Sequence, residues 1–297
     1  MAELFPEYVC DYARRLAAKS PAFAKQCYDP PHPLPDRKVY RADPFGEKGR
    51  AWRCKGLKQR FADRVLVMTT NRCFMNCRHC TRRGLLADAE TIETKADLDN
   101  AVAYVRRHPK VRDVLLSGGD VLTLGDEKVI GLVDAFAELA QIDIVRVCTR
   151  ALSANPLRIT RALASRLGKT GKVWVNTQFN SADEVTSEAR LAAERLVKAG
   201  IPVSCQTVLL KGVNDSGPKM LRLFRALSAA RIRPYYVFMC DPVPGIERFR
   251  VPAEKALEIE RYAAERIGGL SLPRFVADIP GAARKIPVEM ISKKKKG

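Results

Sequence analysis

The residues with the most chemical content are three cysteines in the run Cys73-Phe-Met-Asn-Cys77-Arg-His-Cys80, followed directly by Thr81-Arg82-Arg83. Soft thiolates this close together point to iron–sulfur ligation or zinc. A cuboidal 4Fe–4S cluster has four irons, and such a loop supplies thiolates for three. The remaining iron is open to a small ligand that chelates through an amino and a carboxylate group. Structural zinc asks instead for four closed ligands. Its fourth here would be His79, which adjoins Cys80 and is badly placed to share a tetrahedron with it. Purely structural burial of the thiols is disfavoured by Asn76, Arg78 and His79, which make the loop too polar for a core.

A loop of this kind needs a rigid support, and one precedes it. Residues 65–70, VLVMTT, form an apolar, β-rich run. Further strand candidates are residues 113–119, 143–149, 172–177, 202–210 and 233–240. Helix candidates lie between them, among them residues 96–107, 127–140 and 186–199, the last closed by Gly200 as a helix C-cap. Six β/α units in succession predict a parallel sheet with right-handed crossovers. Almost wholly apolar strands fit burial on both faces. In either a barrel or a doubly wound sheet the chemistry belongs at the C-terminal ends of the strands, where the cysteine loop sits. Residues 1–60 read differently, as an N-terminal cap or arm ahead of a core domain over 61–297. A helix is expected over residues 6–18. The proline-rich stretch 29–36, which includes His32, forbids helix and favours an extended segment.

The run CRHCTRR from Cys77 to Arg83 resembles the signature of the radical S-adenosylmethionine superfamily, and more narrowly that of lysine 2,3-aminomutase and its relatives. The resemblance extends from about Tyr40 to the end of the chain. It implies an open, partial (β/α)6 TIM-like barrel with a helical and extended N-terminal arm, which periodicity alone does not distinguish from a complete barrel. It also implies three cofactors: a 4Fe–4S cluster on Cys73, Cys77 and Cys80, S-adenosylmethionine and pyridoxal phosphate.

The same resemblance implies roles for other residues. Ser117-Gly118-Gly119-Asp120 matches the motif that holds the amino group of S-adenosylmethionine. By itself, a Gly-Gly turn with an Asp cap is commonplace. Gln206 is expected to face the cofactors, with Asn176 and Gln178 one strand earlier; relatives carry histidine where Gln178 stands. Lys285, in the segment from Asp278, matches the lysine that anchors pyridoxal phosphate. The family's glycine run is replaced here by Gly281-Ala282-Ala283-Arg284, and alanine or arginine would strain the loop wherever positive φ is needed. Arg60 and Arg64 match positions that meet the cofactor phosphate, with Phe61 in place of a tyrosine. Arg82 matches an arginine that clamps the substrate carboxylate, and Asp241 and Asp278 match two acids that receive a distal ammonium.

The implied reaction begins with a 5′-deoxyadenosyl radical taking a β-hydrogen from lysine bound through pyridoxal phosphate. Nitrogen moves from C2 to C3, the hydrogen returns, and β-lysine results. Arginine or another cationic amino acid is an alternative substrate. A radical enzyme without pyridoxal phosphate, and an RNA- or protein-binding module with a structural cluster, also stay open. Glutamate is disfavoured, because two acids would repel its second carboxylate. An electron donor such as ferredoxin or flavodoxin is implied, and a homo-oligomer is possible. Family members with structural zinc take one ligand at the position of Ser216 and three from a C-terminal extension. With serine there and no such extension, the expectation is no zinc and weaker contacts between subunits.

Composition bounds the rest. With 297 residues, 46% hydrophobic and 29% charged, the chain suits one large α/β domain. It has no apolar run of membrane-spanning length, its first residues do not read as a signal peptide, and its nine cysteines suit a reducing cytoplasm. The net charge of +19 is spread along the chain without a nucleic-acid motif, so it fits an acidic partner or solubility better than nucleic acid. The one basic block, Lys293 to Lys296, reads as a solvated tail.

Overall fold

The computed structural model describes residues 6–28, 52–83 and 90–293. Its frame is one ten-stranded sheet whose spatial order follows the chain. Strands β1 (Trp52–Cys54), β2 (Leu57–Phe61) and β3 (Arg64–Thr70) pair antiparallel. From β3 onward each strand pairs parallel to the one before: β4 (Asp113–Gly118), β5 (Ile144–Cys148), β6 (Val173–Thr177), β7 (Val203–Leu209), β8 (Arg233–Met239) and β9 (Arg274–Ala277). The two-residue β10 (Ile286–Pro287) turns back antiparallel on β9.

The N-terminal arm contributes α1 (Asp11–Ala17) and α2 (Pro21–Cys27). Helix α3 (Lys95–Arg106) links β3 to β4, and α4 (Asp126–Ala137) links β4 to β5. Helices α5 (Ala151–Ala154) and α6 (Arg161–Gly168) follow β5; α7 (Ser187–Lys198), α8 (Gly217–Ala229) and α9 (Ala253–Ala264) follow β6, β7 and β8. Helix α10 (Val288–Lys293) comes after β10. Six β/α units in unbroken order, β3 to β8, with two further strands at each end of the series, form the open partial barrel.

The face of the sheet turned away from the cavity is packed, while alternate residues such as Leu66, Leu115 and Arg146 line the cavity on the other. Val67, Val114, Leu116, Val145, Val147 and Val237 are all essentially inaccessible, and each such side chain contributes roughly 1.5–3 kcal/mol by leaving water. The helices start where side chains supply the missing acceptors. Thr94 and Asp97 form a capping box on α3, and Thr186 accepts from the Ala189 amide at the start of α7. Helix α7 ends as its sequence requires: Gly200 has φ +79°, and the amide of Ile201 donates to Leu196 at 3.1 Å.

Several elements depart from the sequence expectation. The helix expected over residues 6–18 begins only at Asp11, because residues 8–10 are used as an extended edge. Val9 bridges to Met75, and the Cys10 amide donates to the Phe74 carbonyl at 2.9 Å. Helix α2, and strands β1, β2, β9 and β10, were not expected at all. The expected junction at residue 60 falls inside β2, which is hydrogen-bonded to β3. The proline-rich stretch 29–36 with His32, and Lys294 to Lys296, lie outside the described residues. No helix among the described residues is long and apolar enough to cross a membrane.

Candidate active site

A cavity of about 500 Å³ opens at the C-terminal ends of the parallel strands. Its lining contains Cys73, Cys77, Cys80, Arg82, Ser117, Gly118, Gly119, Asp120, Gln206, Asp241, Asp278, Lys285, Arg60 and Arg64. Every residue singled out from the sequence for cofactor or substrate therefore reaches one space.

The cysteine loop is held from below by β3 and from the side by the N-terminal arm. The Asn76 amide donates to the Tyr8 carbonyl at 2.8 Å, and the Arg78 amide to the Gln26 carbonyl at 2.8 Å. Met75 is buried in a small core with Val9, Ala13 and Phe23. The arm thus acts as a clamp on the loop. Beneath it lies a buried ionic network. Arg150 donates to the Cys77 sulfur at 2.8 Å, to Gln26 Oε1 at 2.5 Å and to Glu184 Oε2 at 3.0 Å. Glu184 is completely buried and also accepts from the amides of Asn180 and Ser181. A buried pair of this kind survives because nearly every oxygen and N–H has a partner.

Burial, and then the neighbouring thiols, raise the Cys73 thiol well above its ordinary range; burial and Cys77 push Cys80 up to about 11. Thiols crowded in this way suit a cationic cluster that accepts them as thiolates. His79 does not complete a zinc site. Asn180 Oδ1 accepts from the Val208 amide, which leaves the Asn180 NH2 to donate. It lies 3.3 Å from His79 Nε2, and the Gln178 NH2 lies 3.1 Å from the same nitrogen. His79 Nε2 is thereby the acceptor of two amides, and complete burial holds the ring neutral.

The Ser117–Asp120 turn has a more local cause than the sequence implied. Gly118 has φ +112°, and a Cβ there would meet the Thr70 carbonyl oxygen at 2.5 Å; a Cβ on Gly119 would strike the Arg72 carbonyl. The two glycines let the end of β4 lie directly against the cysteine loop. The Asp120 carboxylate, expected to receive a ligand ammonium, accepts from Thr149 Oγ1 at 2.7 Å, the Leu122 amide at 3.0 Å and the Arg150 amide at 2.7 Å. It braces the end of β4 to the end of β5. Gln206 and Val208, alternate residues of β7, both face the cavity, opposite a bulge at Tyr235 in β8.

The remaining residues form a second cluster. Phe61 is ringed by cations: the guanidinium carbons of Arg60 and Arg64 lie 5.1 and 4.1 Å from its centroid, and Lys285 Nζ lies at 6.0 Å. Arg60 forks onto Asp278 at 3.2 and 3.0 Å, and Lys285 pairs with the same carboxylate. Lys285 is delivered by the β9–β10 hairpin. Gly281 in that turn has φ +78°, and Arg231, elsewhere in the chain, is the one described non-glycine residue with positive φ. Ala282, Ala283 and Arg284 therefore occupy ordinary backbone conformations, and the replaced glycines leave no strain. Asp241 is strongly perturbed: burial first, then Asp278, push it up to about 7.

An amine, two guanidiniums and an aromatic ring at one end of a cavity suit a pyridine ring with a phosphate arm. Sequence reasoning missed Arg150, Thr149 and Arg146. All three lie on or just past β5, and following that strand to its C-terminal end would have found the first two.

Comparison with known proteins agrees with this geometry. The Radical SAM superfamily model matches residues 67–224, more than half of the chain. The chain belongs to the radical SAM superfamily. Within it, the chain is 42% identical over 233 residues to L-lysine 2,3-aminomutase of Fusobacterium nucleatum, covering 78% of this chain and 55% of that one. A putative L-lysine 2,3-aminomutase of Treponema pallidum is 37% identical over 287 residues, covering 95% and 79%. Glutamate 2,3-aminomutase of Clostridioides difficile is 33% identical over 284 residues, covering 95% and 64%. This radical SAM chain thus spans little more than half the length of the Fusobacterium relative. Among solved structures, a radical SAM methyltransferase from Sphaerobacter thermophilus superposes with TM-score 0.54 at 18% identity, over 76% of this chain and 69% of that one; that likeness concerns the fold alone.

Proposed function

We propose that this radical SAM protein is a 2,3-aminomutase of a cationic amino acid, with lysine as substrate and β-lysine as product. One observation supports this most: Asp241, Asp278 and Lys285 line the same cavity as the three cluster thiols and Arg82. When bound, the cluster with S-adenosylmethionine supplies a carbon radical, and pyridoxal phosphate supplies the π-system through which nitrogen migrates.

The chain's own residues bind, orient and exclude. Cys73, Cys77 and Cys80 would hold the cluster, with Arg150 donating to one of the sulfurs. Ser117 and the glycine edge of β4, together with Gln206, would face S-adenosylmethionine. Arg60 and Arg64 would meet the phosphate, and Lys285 would anchor the aldehyde. Arg82 would fork the substrate carboxylate. Asp241 and Asp278 would take its distal cation, and positioning of this kind lowers a barrier without a general base at the migrating centre. The net charge of +19 suits docking of a small acidic electron donor such as a ferredoxin or flavodoxin.

Two acids in the cavity oppose glutamate, despite the similarity to a glutamate enzyme. Arginine is the second reading, because the Arg60 fork shows that Asp278 accepts a guanidinium in bidentate fashion. The deciding experiment offers lysine, arginine, ornithine and glutamate to anaerobically reconstituted protein and reads deuterium exchange into 5′-deoxyadenosine. Lysine is expected to lead and glutamate to be inactive. Faster exchange with arginine would reassign the substrate, and glutamate turnover would undo the pocket argument.

A further inference from the structure

Arg60, Lys285 and Asp278 join two tasks that the proposed function treats separately. On that reading Arg60 and Lys285 serve pyridoxal phosphate, and Asp278 serves the substrate's distal cation. In the structure the first two are both bonded to the third. Arg60 contributes Nη1 to Oδ2 at 3.2 Å and Nη2 to Oδ1 at 3.0 Å, while the Lys285 ammonium pairs with Oδ2. The Asp278 side chain is only 12% exposed and those of its two partners 26%, so solvent screens the contacts weakly. Asp241 lies close enough for the Asp278 charge to raise its pKa, and for Lys285 and Arg60 to oppose that rise.

We infer that Lys285 occupies the substrate-cation seat on Asp278 until pyridoxal phosphate claims its amine, so that cofactor loading and cation binding are coupled through one carboxylate. The inference rests on the proposed function. For Lys285 to take the cofactor, its ammonium must leave Asp278 and shed a proton to solvent. Its nitrogen then forms a C=N bond with the aldehyde carbon, and the aldehyde oxygen departs as water. The cofactor phosphate draws on Arg60 at the same time.

Asp278 is then left partly buried beside a second acid, with its internal cations drawn elsewhere. A carboxylate in that position is stabilised by an incoming ammonium. Before loading, the same ammonium would first have to displace Lys285. The coupling is reciprocal: a cation that needs Asp278 favours cofactor loading to the same degree that loading favours the cation.

The coupling predicts the sign of one mutational effect. If Asp278 only helped to build the cofactor site, removing its charge would weaken loading. If it sequesters Lys285, removing its charge frees the amine, and apparent affinity rises with the fraction of competent protein. The experiment titrates pyridoxal phosphate alone into the full chain with its cluster reconstituted, following the visible band of lysine-bound cofactor. Asp278→Asn is expected to tighten loading by about tenfold or more, and Asp278→Glu to stay near wild type. Iron content and the thermal midpoint check that each variant is folded.

A second titration adds 6-aminohexanoate, which has the carboxylate and distal ammonium of lysine but no α-amine. It is expected to tighten loading of wild type and to leave Asp278→Asn unaffected. Equal or weaker loading in folded Asp278→Asn, or equal response of both proteins to the probe, overturns the coupling and leaves the cofactor assignment standing. Absence of any lysine-bound band in wild type overturns the cofactor assignment and the coupling with it.

Discussion

Replacing Asp241 with asparagine should make this protein more stable and less able to bind lysine. Burial first, and then Asp278, raise the Asp241 carboxyl from 3.8 to about 7, against the pull of Lys285, Arg60 and Arg250. In the unfolded chain the group titrates near its ordinary value. Between about pH 4 and 7 the folded protein therefore binds a proton that the unfolded chain does not. The stability tied to that proton is fully present below the unfolded pKa and is lost as pH rises through about 7. A shift of about three pH units, at about 1.4 kcal/mol each, makes the ionised residue a burden of up to about 4 kcal/mol above that range. Asparagine has no such proton to lose. Asp241→Asn should thus match wild type near pH 4 and exceed it by up to about 4 kcal/mol near pH 8. Anaerobic denaturation of cofactor-free protein across this range measures the gap. Asp113, Asp120 and Glu260 are also raised by burial, but they titrate in both proteins and cancel in the difference. Lysine binding should fall by roughly 2–5 kcal/mol, as for loss of one partner in a desolvated charge pair. A variant less stable than wild type at pH 8, or a gap that does not change with pH, would refute the reasoning.

Three further outcomes are expected. Reconstituted wild type should carry about four irons per chain and change its reduced spectrum with S-adenosylmethionine; Cys77→Ala should lose both, and a variant that kept them would end the cluster assignment. Glu184→Gln leaves the Arg150 guanidinium buried without its carboxylate, so it should destabilise the fold by about 3–5 kcal/mol and expose the arm to proteolysis ahead of the barrel. Gly119→Ala places a methyl group against the Arg72 carbonyl and should displace the cysteine loop, seen as a lost spectral response to S-adenosylmethionine with little change in helix content.

The parts of this fold that could be read from the chain are those set by local pattern. The runs of β3 to β8 are distinct because most of their residues are apolar and pack away from solvent, while polar members such as Arg146, Asn176 and Gln206 face the cavity. The cysteine loop stands out because its spacing is chemical. Strands β1 and β2 did not stand out: Trp52–Cys54 is three residues long with an arginine at its centre, and Leu57–Phe61 carries Lys58, Gln59 and Arg60 in succession. Their pairing is imposed by β3, which presents an edge that must be covered. The functional residues show the same division. Arg82, Asp241, Asp278 and Lys285 could be proposed one at a time, because each lies in a recognisable stretch. How each spends its hydrogen bonds could not. Arg150 reaches Glu184 and Gln26 across 34 and 124 residues of sequence, and Arg60 reaches Asp278 across 218. Asp120 bears the consequence. Its type and position after β4 fit an ammonium acceptor, and in the structure its oxygens also accept from Thr149, Leu122 and Arg150. Asp278 is the complementary case, with its position unchanged from the expectation but its bonds given to the two cations expected to serve the cofactor. Type and spacing nominate a site; the partners that long-range closure supplies decide which of its groups are free to meet a ligand.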